Sequence, residues 1–109
     1  MTSDPVITAM TEIMRSNLAE PFPIPIIASH LGKSQKHLLN RCRRALGRTP
    51  AEHYTHLRLE HALDLLKTTE LSVTEVAVAT GYASLAGFSK SFKKTYGVSP
   101  RVSKADAGG

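Results

Sequence analysis

Residues 72–100, SVTEVAVATGYASLAGFSKSFKKTYGVSP, decide how this 109-residue chain folds. Ser72-Val73-Thr74-Glu75 has the form of a capping box, in which the serine and glutamate side chains satisfy the free amides at a helix start. It opens a short helix through Val76 and Ala79. Gly81 stands where a helix stops on a left-handed residue, and Ser84 caps a second, longer helix. At helical spacing that helix puts Phe88, Phe92, Thr95 and Tyr96 on one face, and it ends at Gly97. The stretch reads as short helix, turn, longer helix.

The same unit occurs earlier. A displacement of 50 superimposes Ser34 on Ser84, Leu38 on Phe88, Cys42 on Phe92, Arg43-Arg44 on Lys93-Lys94, Leu46 on Tyr96, Gly47 on Gly97, and Thr49-Pro50 on Ser99-Pro100. Upstream the match continues at 49, with Ile27-Ala28 on Val76-Ala77, so the second copy has one additional residue in its turn. In the first copy Ile26, Ile27 and Leu31 form the short helix and Gly32 stops it. Ser34 then caps a helix with Leu38, Cys42, Ala45 and Leu46 inward. Pro23 and Pro25 are tolerated at a helix start but leave it without a polar cap.

Between the copies, Thr49-Pro50-Ala51-Glu52 combines a capping box with proline at the first helical position. A helix to about Lys67 follows, with Tyr54, Leu59, Ala62, Leu63 and Leu66 available for burial. Its roughly 18 residues span about 27 Å, close to the ~34 Å of one duplex turn, so it suits a rigid connector between two units reading successive major grooves. Ser3-Asp4-Pro5 signals a further helix, with Val6, Ile7, Met10, Ile13, Met14 and Asn17 or Leu18 on its apolar side. The predicted fold class is all-α: two helix-turn-helix subdomains, 5–48 and 71–103, joined by a linker helix at 49–67. About seven helices are expected, the last cut short by Ala107-Gly108-Gly109.

Composition limits the function. With 41% hydrophobic residues the chain is apolar enough to fold as one domain. Fourteen Lys and Arg against nine Asp and Glu give +5, which points to a polyanionic partner. No acid occurs from Pro21 to Ala51 or from Val76 to Ala105, the two stretches that hold the repeat. One cysteine excludes an internal disulfide and a zinc finger, and fits a reducing compartment. No apolar run of about 18 residues and no signal peptide is present, so no membrane contact and a cytoplasmic location are expected.

With Leu38 turned to the core, Lys36, Asn40, Arg43 and Arg44 point away; with Phe88 inward, Ala86, Lys90, Lys93 and Lys94 do. Recognition helices present their N-terminal half to base edges. Lys36 and Asn40 are therefore candidate base contacts, flanked by Gln35 and Leu39. Asn pairs with adenine and Lys donates to guanine, each worth about 1–3 kcal/mol of discrimination. The second helix offers Leu85, Ala86, Ser89 and Lys90, a less selective set because Leu85 and Ala86 offer only apolar contact with thymine methyls. Arg43, Arg44, Arg48, Lys93 and Lys94 are candidate phosphate contacts, as are Ser34 and Ser84 at their helix N-termini.

The string from Val73 to Pro100 closely resembles the signature of the AraC/XylS family of transcription regulators. Tyr54, Arg58, Ala62, Leu65 and Leu66 resemble its linker-helix pattern, and the likeness covers about Ile24 to Pro100. The resemblance implies double-stranded DNA as partner, recognition by the third and sixth helices, and contact with RNA polymerase. Met14 to Pro21, with Glu70 to Val76, resembles the branch whose regulators carry a PfpI-type, amidotransferase-like domain upstream. That likeness implies a longer regulator with an upstream effector-binding domain. Three departures stand out: Cys42 where the family has Phe, Asn40 where it has Arg, and no aromatic-basic pair after Ser99-Pro100. Gly87 inside the second recognition helix costs about 1 kcal/mol relative to alanine, which suggests partial ordering by DNA.

Enzymatic readings are thin. His53 and His56, with Glu52, Glu60 and His61 near in sequence, lack the spacing of a zinc-protease helix and read as exposed histidines. Cys42 occupies an apolar helix position and reads as core rather than nucleophile. No catalytic residue, metal or cofactor is expected. The alternative from another class is a helical interaction module that docks on RNA polymerase or a sensor partner without reading bases.

Overall fold

The computed structural model describes residues 4–108, and every regular element among them is an α-helix. In chain order these are α1 (Pro5–Arg15), α2 (Ile24–His30), α3 (Gln35–Leu46), α4 (Pro50–Thr68), α5 (Val73–Ala79), α6 (Leu85–Tyr96) and α7 (Pro100–Gly108). None of them is long and apolar enough to cross a membrane.

Polar side chains set the helix starts. Asp4 Oδ1 accepts from the amides of Val6 and Ile7 at 3.0 and 3.3 Å; Ser3, read with it as a start signal, lies outside the described residues. Ser34 accepts from the His37 amide and Ser84 from the Gly87 amide, each at 3.0 Å. Both capping boxes form. Glu52 accepts from the Thr49 amide at 2.8 Å and Glu75 from the Ser72 amide at 2.9 Å, while the Thr49 and Ser72 hydroxyls accept in return. α2 has no side-chain cap and closes its first turn on the Pro23 carbonyl.

Both short helices end in the same turn. Gly32 and Gly81 have φ of 68° and 83°, where a β-carbon is strained. Just beyond them, the Lys33 amide bonds Ala28 O at 2.9 Å and the Tyr82 amide bonds Ala77 O at 3.0 Å. These are the long bonds of a Schellman motif. The copies therefore keep their displacement of 49 through Tyr82 and change to 50 at the serine cap. The additional residue is Ala83.

The chain forms two compact units, which divide within α4 between Leu57 and Arg58; Leu18–Glu20 group with the second. In the first, α3 packs on α1 and α2. Ile7, Met10, Met14, Ile27, Ala28, Leu38 and Cys42 are buried there, as are His53, Tyr54 and Leu57 from the start of α4. The Tyr54 hydroxyl donates to Asn17 O and accepts from the Phe22 amide, tying the segment between α1 and α2 to α4. Arg41 Nε donates to Asp4 Oδ2 at 2.7 Å, joining α3 to the cap of α1.

In the second unit, Leu59, Ala62 and Leu66 of α4 form one cluster with Val76, Ala77, Phe88 and Phe92. Tyr82, Phe88, Phe92 and Tyr96 make a continuous row of tilted rings with centroids 4.7–5.7 Å apart. Such pairs add about 0.5–1.5 kcal/mol each beyond area burial. α7 packs on α5 and α6, and Lys104 Nζ reaches Leu71 O at 2.8 Å.

Two expectations need correction. Thr95 is exposed, because the buried seam of α6 follows the i, i+4 row of Phe88, Phe92 and Tyr96 and leaves Thr95 on its outer side. His53 is buried, with Nε2 2.9 Å from the Thr11 hydroxyl. It packs inside the first unit.

Candidate nucleic-acid interface

α3 and α6 are framed alike. Each runs twelve residues from a serine cap to a left-handed glycine, Gly47 or Gly97, whose amide closes on Arg43 O or Lys93 O. Each buries two residues four apart, Leu38 and Cys42 in α3, Phe88 and Phe92 in α6. The opposite sides are left to solvent.

On α3 the candidate base-reading residues Gln35, Lys36 and Asn40 are exposed, and Leu39 is half-buried. Lys36 and Asn40 make no side-chain hydrogen bond or ion pair among the described residues, so their donors are available to a ligand. Arg43 and Arg44 are exposed on the last turn, and Arg48 is half-buried in the loop after it. Arg41 differs from these cations. Its hydrogen bond holds the Asp4 carboxyl below the usual carboxylate range, and the pair belongs to the fold.

On α6 Leu85, Ala86 and Lys90 are exposed and Ser89 is half-buried; Lys93 and Lys94 are exposed on the last turn. Gly87 sits in the first turn, where its amide bonds the Ser84 hydroxyl, and α6 is continuous through it. A β-carbon there would lie 3.1 Å from Ser84 Oγ and press on the cap. The serine hydroxyls of both caps accept one intrahelical bond and retain an O–H to donate outward.

The turn before α6 is held from α4. Arg58 Nε donates to Thr80 O at 2.7 Å, its second nitrogen to Gly81 O at 2.8 Å, and its guanidinium lies 4.2 Å from the Tyr82 ring centroid. Two carbonyls at the end of α5 thus gain charge-assisted bonds, and the ring gains a cation over its face. Arg58 fits the linker-helix pattern, but nothing local in the sequence points to acceptors 22 and 23 residues away.

No group of three or more His, Cys, Asp or Glu side chains among the described residues is arranged to hold a metal ion. Burial pushes the Cys42 thiol above its ordinary value, which disfavours the thiolate a nucleophile needs.

Two helix-turn-helix units with outward-facing, polar and basic second helices define the class of this protein. The sequence pattern of the helix-turn-helix domain matches residues 27–105. The fold is similar to a crystal structure of a transcriptional regulator with an AraC-type DNA-binding domain from Chromobacterium violaceum: 30% identity, TM-score 0.91, covering 94% of this chain and 92% of that one. It is also similar to the DNA-binding domain of AdpA, a global transcriptional factor solved with a target DNA, at 28% identity and TM-score 0.86, covering 95% and 93%. The sequence is 33% identical over 100 residues to the HTH-type transcriptional regulator GbdR of Pseudomonas aeruginosa, covering 92% of this chain and 27% of that protein. The chain belongs to the AraC-type DNA-binding domain family. It spans 27–31% of the length of the first curated relatives it matches.

Proposed function

We propose that this chain is the sequence-reading domain of a transcription regulator, binding duplex DNA with α3 and α6 each in a major groove. One observation carries the reading: in both copies a rigidly capped helix turns a polar or basic face outward, in a stretch without a single acid. The DNA complex of the similar AdpA domain supports it. Lys36 and Asn40 read bases with Gln35 and Leu39 beside them. Leu85, Ala86, Ser89 and Lys90 form a second, less selective face. Ser34, Arg43, Arg44, Arg48, Ser84, Lys93 and Lys94 contact phosphates. The working parts are 5–48, 49–67 and 71–103.

The chain has no chemistry of its own in this reading and acts in the cytoplasm, where its occupancy of DNA is passed to RNA polymerase. The greater length of the relatives supports an effector-binding domain elsewhere in the full regulator, of PfpI type by the resemblance at 14–21 and 70–76.

Selection from a random duplex library, followed by salt titration on the selected site, tests the proposal. Two blocks of base preference about one duplex turn apart are expected. So is a log-affinity slope against log salt of about −0.9 per neutralised phosphate. Absent or salt-independent binding overturns the reading in favour of a module that docks on RNA polymerase or a sensor partner.

A further inference from the structure

In the second unit an open crevice of about 620 Å³ runs beside α6, its walls including Thr74, Leu85, Ser89, Ser99, Arg101 and Lys104. At about 100° per residue, Leu85 and Ser89 lie along one flank of α6, Lys94 along the other, and Ala86 and Lys90 between them. A helix seated in a major groove has a sugar-phosphate strand on each side. If Ala86 and Lys90 face the base edges, one strand passes Lys94 and the other passes over the crevice.

The crevice is fitted for that strand. Arg101 is exposed, with no side-chain hydrogen bond or ion pair among the described residues. Lys104 is anchored on Leu71 O, which fixes a second positive charge in the wall. Thr74 adds an exposed hydroxyl. Glu75 lies close enough to feel Lys104, but its carboxylate is turned onto the Ser72 amide, whose hydrogen bond is the main cause holding it below the ordinary range.

Resting on the DNA-binding reading above, we propose that this crevice takes a backbone phosphate of the strand flanking α6 opposite Lys94, with Arg101 as its principal ligand. Arg101 then belongs to the DNA-binding set, and α7 is a working element of the interface as well as a buttress for α5 and α6.

The test is salt titration of binding to an unselected 25-base-pair duplex. Arg101→Gln lowers the salt slope by about 0.9, the share of one lost phosphate contact. Arg101→Lys keeps the slope, because a point charge suffices. Lys67→Gln, which removes an equal charge outside the crevice, also keeps it. Thr74→Glu supplies a second arm: an acid in the first turn of α5 holds or raises the melting temperature while weakening duplex binding, a pair of opposite signs that damage to the fold does not produce. An Arg101→Gln slope equal to wild type, or an equal fall with Lys67→Gln, overturns the crevice assignment while DNA binding stands. A wild-type chain with no salt-dependent binding overturns both.

Discussion

The two recognition helices share a frame and differ in almost everything set within it. Both start on a serine, follow a Schellman turn and end on a left-handed glycine after a basic pair. Tyr82, Phe88, Phe92 and Tyr96 give the second unit a row of four rings; the matching positions of the first hold Lys33, Leu38, Cys42 and Leu46. On the outside the contrast reverses: α3 presents Gln35, Lys36 and Asn40, whereas the first turn of α6 presents Leu85, Ala86 and Gly87. The serine caps and glycine turns that frame the two helices are therefore kept in both copies. Core volume and reading surface vary within that frame.

The largest expected effect breaks the core half of this comparison. Phe92→Ala removes the middle of the ring row and should cost about 3–5 kcal/mol, whereas Cys42→Ala at the matching position removes one sulfur and should cost about 1 kcal/mol. Urea unfolding midpoints measure both, and equal losses would mean the aromatic row adds nothing.

Next comes the support of the second turn. Arg58→Ala strips two carbonyl bonds and a ring contact, and should cost about 2–3 kcal/mol. Amide exchange at Gly81 and Tyr82 should rise more than exchange at Gly32 and Lys33.

The reading surfaces come third. Asn40→Ala should lose about 1–3 kcal/mol of preference at a single base position, and Leu85→Ala less, read by repeating the library selection with each variant. Arg44→Ala and Lys94→Ala should instead weaken all sequences alike.

The smallest effect probes two helix starts that the copies do not share: one capping box opens α4, the other opens α5, whose counterpart α2 has no side-chain cap. Glu52 and Glu75 are held below the ordinary carboxylate range, mainly by the amides of Thr49 and Ser72. A lowered native value means the contribution is complete above about pH 4.5, the range of a free glutamate, and fades as pH falls through the native value. Glu52→Gln and Glu75→Gln should each flatten stability against pH below that point, measured by thermal melts between pH 3 and pH 7.

Local signals made most of the frame legible. Serine caps, capping boxes and left-handed glycines act over three to six residues, so spacing alone locates them. The residue inserted in the turn of the second copy is visible too, as a displacement changing from 49 to 50. What the sequence hid were pairings across distance: Arg41 with Asp4, His53 with Thr11, Arg58 with the turn before α6. A helical wheel sets Arg41 about 60° from Leu38, on the side of α3 that meets its neighbours, but cannot name Asp4 as the partner found there. Nor does it show where a seam drifts, and Thr95, on the apolar side of an ideal wheel, is exposed. Arg101 is one of several cations in the acid-free stretch from Val76 to Ala105, and no local pattern singles it out, because the crevice it lines is assembled from α5, α6 and α7.

Lys36 and Asn40 are bound to nothing inside the described fold. Exposed positions of this kind tolerate replacement within about 0.5 kcal/mol of stability. On the proposed reading, exchanging them redirects the chain to new operators while the scaffold stays intact.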